Sequence, residues 1–107
     1  MTFDPDKFFH SVVEAGNDWA DKNAAADLLE ETKKSVLAEL VNGAAGTSNA
    51  AKETVALADP AYKLHVVNMV TARKESNRAR VKYDAMKMLA ELRRSQESTR
   101  RAEMTLR

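Results

Sequence analysis

Between Tyr62 and Ala90, small and apolar residues recur at helical steps: Tyr62, Met69, Ala72, Ser76, Ala79, Tyr83, Met86 and Ala90 take a/d-like positions of a heptad. No glycine or proline interrupts 61–107. One long helix is therefore predicted over about 60–100, with Asp59 as its cap and Pro60 at its first position. The middle of this seam is small, so Ala72, Ser76 and Ala79 permit close helix approach. It widens where Met88, Leu89 and Leu92 join the apolar face. Past Ser95 the apolar positions thin to Ala102, Met104 and Leu106, and the last ten or so residues are expected to fray or to await a partner.

The first half shows the same cap signal at Asp4 and Pro5. A helix is predicted over about 5–16, with Phe8, Phe9, Val12 and Val13 as its stripe. Gly16 and Asn17 predict a break, because glycine costs a helix interior about 1 kcal/mol. A second helix is predicted over about 18–41. Leu28, Leu29, Thr32, Val36, Leu40 and Val41 lie on one side of it, and Glu30 stands four before Lys34 on the other. Asn42 and Gly43 are stop signals; a loop over 42–49 and a weak helix over 50–58 follow.

The fold class is all-α: one helical domain over 1–107, built as an elongated hairpin or a three-helix arrangement around one long coiled-coil-like C-terminal helix. Length bears on which. Forty-eight helical residues span about 72 Å, whereas Ala24 to Val41 spans about 27 Å. A simple hairpin of these two would leave most of the long arm uncovered. Either the two N-terminal helices stack end to end along it, or two chains pair through their long helices, and a homodimer is favoured.

Composition narrows the chemistry. Three glycines and two prolines among many Ala, Glu, Lys, Arg, Leu and Met favour helix over strand. Without cysteine there is no disulfide, thiolate metal site or thiol nucleophile. The start lacks the pattern of a secretory signal, and no apolar run approaches the roughly 20 residues of a membrane helix. A soluble cytoplasmic protein without membrane contact is expected. His10 and His65 belong to no metal-ligand spacing. Gly43 and Gly46 precede Thr47 and Ser48, but the lysine and the preceding strand of a phosphate loop are missing. The pairs Glu30 with Glu31 and Asp18 with Asp21 read as solvated helix charges. Trp19 reads as a packing anchor, and Tyr62 and Tyr83 as seam residues rather than stacking platforms. The chain is expected to be no enzyme and to need no cofactor or metal.

Charge is the informative departure. Residues 60–107 carry twelve Lys/Arg against five Asp/Glu, and residues 1–59 carry five against eleven. Arg73, Arg80, Lys87, Arg94 and Arg101 fall at seven-residue intervals, a column at heptad position e beside the seam. Lys74, Arg78, Lys82, Arg93, Arg100 and Arg107 thicken it into a band. Three readings stay open: a flank that selects a partner helix, a track for phosphates that gains affinity by counterion release, and a docking surface for an acidic protein. The candidate binding residues are Arg73, Lys74, Arg78, Arg80, Lys82, Lys87, Arg93, Arg94, Arg100 and Arg101.

Two blocks carry a resemblance: Trp19-Ala20-Asp21 through Leu28-Leu29-Glu30-Glu31-Thr32-Lys33-Lys34-Ser35-Val36-Leu37-Ala38, and Ser76-Asn77-Arg78-Ala79-Arg80-Val81-Lys82-Tyr83-Asp84-Ala85 continuing to Arg93-Arg94 and Glu97. Together they resemble small helical proteins of tailed bacteriophages and prophages, often encoded near recombination or replication genes. The resemblance implies a phage accessory protein in the cytoplasm of the infected or lysogenic bacterium, and it supplies no catalytic residue. The expected role is to assist DNA recombination or replication by binding a protein partner, such as a recombinase, a nuclease or a host DNA-processing enzyme. Direct binding of single-stranded or duplex DNA is the main alternative. Another is inhibition of a host defence or DNA-processing enzyme through the acidic segment of Asp18, Asp21, Asp27, Glu30 and Glu31. A virion-assembly role finds no supporting repeat.

Overall fold

The computed structural model describes residues 3–106, which form three helices: α1 (Pro5–Gly43), α2 (Asn49–Leu57) and α3 (Pro60–Leu106). Each start is capped as its sequence requires. Asp4 Oδ1 accepts from the amides of Asp6 and Lys7 at 3.0 and 3.3 Å, Ser48 Oγ from Ala51 at 3.2 Å, and Asp59 Oδ1 from Ala61 at 2.8 Å.

α1 and α3 run antiparallel along each other, with α2 in the connection. The pairs Phe3 with Arg93, Trp19 with Tyr83 and Leu29 with His65 set that direction. The molecule measures 87 × 20 × 17 Å. Its radius of gyration is 23.9 Å, where a compact chain of this length would have about 13 Å.

The break expected at Gly16 and Asn17 does not occur: 5–16 and 18–41 are parts of one 39-residue helix. An unbroken run of steps of three and four holds it against α3, through Phe8, Val12, Ala15, Trp19, Lys22, Ala26, Leu29, Lys33, Val36 and Leu40, all at least half-buried. Lys22 and Lys33 hide that run in the sequence. Leu29 faces in, and Leu28, expected beside it, is 60% exposed. Gly16 is in the helix for space: a Cβ there would lie 3.1 Å from Cε1 and Cζ of Tyr83, whose ring stacks on Trp19 with centroids 6.0 Å apart.

One continuous α1 also settles the length problem, since 39 residues span about 58 Å. The a/d seam of α3 is buried or half-buried at every predicted position, and α1 of the same chain fills it. The seam is therefore not the surface through which two chains could pair. α3 continues to Leu106, past the predicted end near 100. Glu97 and Arg101 pair at 3.6 Å one turn apart, and no helix breaker intervenes.

Only small side chains are fully enclosed. Among the described residues the buried ones are Ala15, Ala26, Ala56, Ser76 and Ala79, while fifteen large apolar residues are exposed. Substituting Gly16→Leu should therefore push Tyr83 off Trp19 and cost about 1–3 kcal/mol, the usual range for overpacking. Urea or thermal unfolding followed by circular dichroism checks it; unchanged stability would mean that the close approach is not constraining.

Candidate functional site

The ten candidate cations lie on one helix but in three different settings. Arg73 is drawn into the hairpin. Its Nε and Nη2 grip both carboxylate oxygens of Glu30 at 2.8 and 3.0 Å, Nη2 also reaches Asp27 Oδ1 at 2.5 Å, and Nη1 donates to Asn23 Oδ1 at 2.8 Å. Ser76, buried beside it, donates to the same Asn23 oxygen at 3.5 Å. Asn23, Asp27 and Glu30 stand on adjacent turns of α1, so one guanidinium fork fixes the register of the two long helices. Glu30 therefore does not form the pair with Lys34 that their spacing suggested.

The electrostatics follow from this geometry. Hydrogen bonds from Arg73 hold the Glu30 carboxyl below the usual glutamate range, and those same bonds to Glu30 and Asp27 raise the guanidinium further above its already high value. Arg73 is a structural residue rather than a free contact for a partner.

The second setting is local. Arg80 and Lys87 both lean on Asp84, at 3.7 and 3.4 Å, and Lys87 also sits 4.5 Å from the centre of the Tyr83 ring. Arg101 pairs with Glu97. These exposed pairs within one helix contribute little stability, and each leaves its cation in solvent.

The third set, Lys74, Arg78, Lys82, Arg93, Arg94 and Arg100, has no carboxylate within 4 Å among the described residues. Lys74 and Arg78 edge a shallow groove of about 590 Å³ floored by Met69, Val70 and Val81. Lys82 lies beside Glu75 and Asp18 at a second, smaller hollow. Arg93, Arg94 and Arg100 belong to the open end of the hairpin, where every residue from Glu91 to Leu106 is exposed. There Arg93 lies 3.9 Å from the centre of the Phe3 ring, and Phe8, Phe9, Val12 and Ala90 complete an apolar groove of about 330 Å³.

That groove was not visible as a unit in the sequence, because its aromatic and its basic walls come from opposite ends of the chain. Of the histidines, His10 is exposed, and His65 lies in the seam, donating from Nε2 to the carbonyl of Leu29 at 2.8 Å. Among the described residues no three His, Cys, Asp or Glu side chains gather as a metal-binding group, and no helix is long and apolar enough to cross a membrane.

The lowered Glu30 carboxyl stabilises the fold above the ordinary glutamate pKa of about 4.3, and that contribution is lost as pH falls below it through the folded value. Glu30→Gln should accordingly lower the melting temperature at pH 7 and flatten its decline below about pH 4.3. Thermal melts from pH 7 to 2.5 on both chains check this; parallel curves would mean that the pair is not formed. No protein-family model, curated protein or solved structure matches this chain.

Proposed function

We propose that the chain is a non-enzymatic interaction protein that serves bacteriophage DNA recombination or replication by binding a protein partner, with the open end of the hairpin as its contact surface. The observation that carries this reading is the conjunction of Arg93, Arg94 and Arg100, none held by a carboxylate among the described residues, with the aromatic groove of Phe3, Phe8 and Phe9. Arginine forks beside an apolar slot suit an acidic segment that also carries a bulky apolar side chain. The resemblance to phage-encoded helical proteins supplies the setting.

A protein is favoured over nucleic acid on two grounds. Carboxylates recur along the band at Asp84, Glu91, Glu97 and Glu103, which interrupts any phosphate track. Trp19 and Tyr83 are stacked on each other and half-buried, so their faces are not free for bases. The acidic segment is no better placed for mimicry, since Asp27 and Glu30 are engaged by Arg73 and Asp18 by Lys22.

Reversing three charges together, Arg93→Glu, Arg94→Glu and Arg100→Glu, should abolish saturable capture of a recombination or replication protein from phage-infected cells while helicity is unchanged. Labelled single-stranded and duplex DNA titrated in a salt series provides the contrast. Weak binding is expected; tight binding whose affinity falls steeply with salt would overturn the protein-partner reading in favour of DNA.

A further inference from the structure

The apolar groove at the open end has a polar neighbour. A hollow of about 400 Å³ lies beside it, lined by Gln96 and Arg100 together with Phe3, Pro5, Arg93 and Glu97, four residues that also line the apolar groove. Helical geometry explains the division. On α3, Gln96, Arg100, Arg93 and Glu97 fall within an arc of about 100°, and Ala90 and Arg94 continue it to the other side. Phe3 and Arg93, in contact with each other, therefore form the boundary between an apolar hollow and a polar one.

Each side of this boundary suits different chemistry. On the first, Phe8, Phe9, Val12 and Ala90 leave room for one large apolar side chain. On the second, Arg93 and Arg100 stand seven residues apart on one face of α3, about 10.5 Å along the axis, with the Gln96 amide between them. A guanidinium lying over a ring keeps its N–H groups around its edge, so Arg93 contacts Phe3 and still has donors for an anion. The nearby acids do not take up these donors. Glu97 lies 3.6 Å from Arg101, and Asp4 accepts from the first amides of α1.

An occupant of both hollows must carry an anion and an apolar side chain close together on the same side of its backbone. Consecutive residues of an extended segment send their side chains to opposite faces, and on a helix they diverge by about 100°. An internal acid next to an internal leucine therefore separates the two groups. A C-terminal residue does not, because its carboxylate and its side chain leave the same Cα. We propose that the paired hollows bind the free C-terminus of an acidic protein segment, with the apolar side chain of its last residue among Phe8, Phe9 and Val12 and the terminal carboxylate between Arg93 and Arg100. Arg94, on the far wall of the apolar hollow, meets an acid earlier in the same segment. On the reading of the open end as a protein-contact surface, on which this assignment rests, the part of the partner that is held is its last few residues.

Fluorescence anisotropy of the full chain with synthetic peptides tests this. The probe is an acidic peptide ending in leucine with a free carboxylate, labelled at its N-terminus. Three controls accompany it: its C-terminal amide, a version ending in alanine, and an isomer with the leucine moved inside. The free acid should bind saturably and each control about tenfold or more weakly, as befits the loss of one charge-assisted contact or one buried side chain. Arg100→Gln should weaken the free acid about tenfold and leave the amide unchanged, a coupling that a merely structural role would not produce. Phe9→Ala, at a side chain 64% exposed, should weaken acid and amide in the same proportion. Circular dichroism should show unchanged helicity in both variants. Equal binding of acid and amide, or an internal leucine that serves as well as a terminal one, overturns the assignment of a C-terminus and leaves the open end as a contact surface. Failure of every peptide to bind also overturns it. Loss of partner capture on reversing Arg93, Arg94 and Arg100 would then show that the broader reading survives, and unchanged capture that both fail.

Discussion

Everything in this molecule follows from how closely two long helices approach each other. Where α1 and α3 meet, the enclosed residues are Ala15, Ala26, Ser76 and Ala79, with Gly16 making room for Tyr83. A seam of small residues brings backbones together and gains dispersion contacts along its length, but it has no volume for large side chains. Leucines, valines and methionines are displaced to the outside. The thin 87 Å rod and its exposed apolar stripes are two results of one packing choice.

Small seams are also poor at fixing register, because alanine against alanine is nearly the same one turn along. Two devices supply what the seam lacks. Trp19 stacked on Tyr83 offers a shape that fits in one place, and Arg73 offers a fork that reaches Asn23, Asp27 and Glu30 together. The register is thus written in the few residues that are not small, much as a single polar position specifies alignment in a coiled coil.

Much of the fold was legible in the sequence because its signals are local. Asp4 with Pro5, Asp59 with Pro60, and Asn42 with Gly43 mark helix ends within a few residues, and the α3 seam repeats often enough to be read without knowing what covers it. The continuity of α1 was not legible, because its inward positions include Lys22 and Lys33, half-buried by their stems, so the stripe looked interrupted where Gly16 already suggested a stop. For the site, charge alone put ten cations in one class. What α1 sets opposite each separates them: Arg73 meets Asn23, Asp27 and Glu30, whereas Arg94, at the same heptad position, lies with Arg93 and Arg100 where α1 ends. Phe3 and Arg93, joined across nearly the whole chain, share no local signal.

The single connection at one end gives the rod a direction in time. Contacts beside it, such as Leu29 with His65, close a short loop, while Phe3 with Arg93 closes almost the entire chain. Loop entropy therefore favours pairing first near α2 and zipping outward, and opening runs in reverse. Amide exchange should be graded along both long helices, slowest toward the connection and fastest beyond Tyr83. The end that carries the arginines and phenylalanines is thus the last part of the hairpin to close and the first to open.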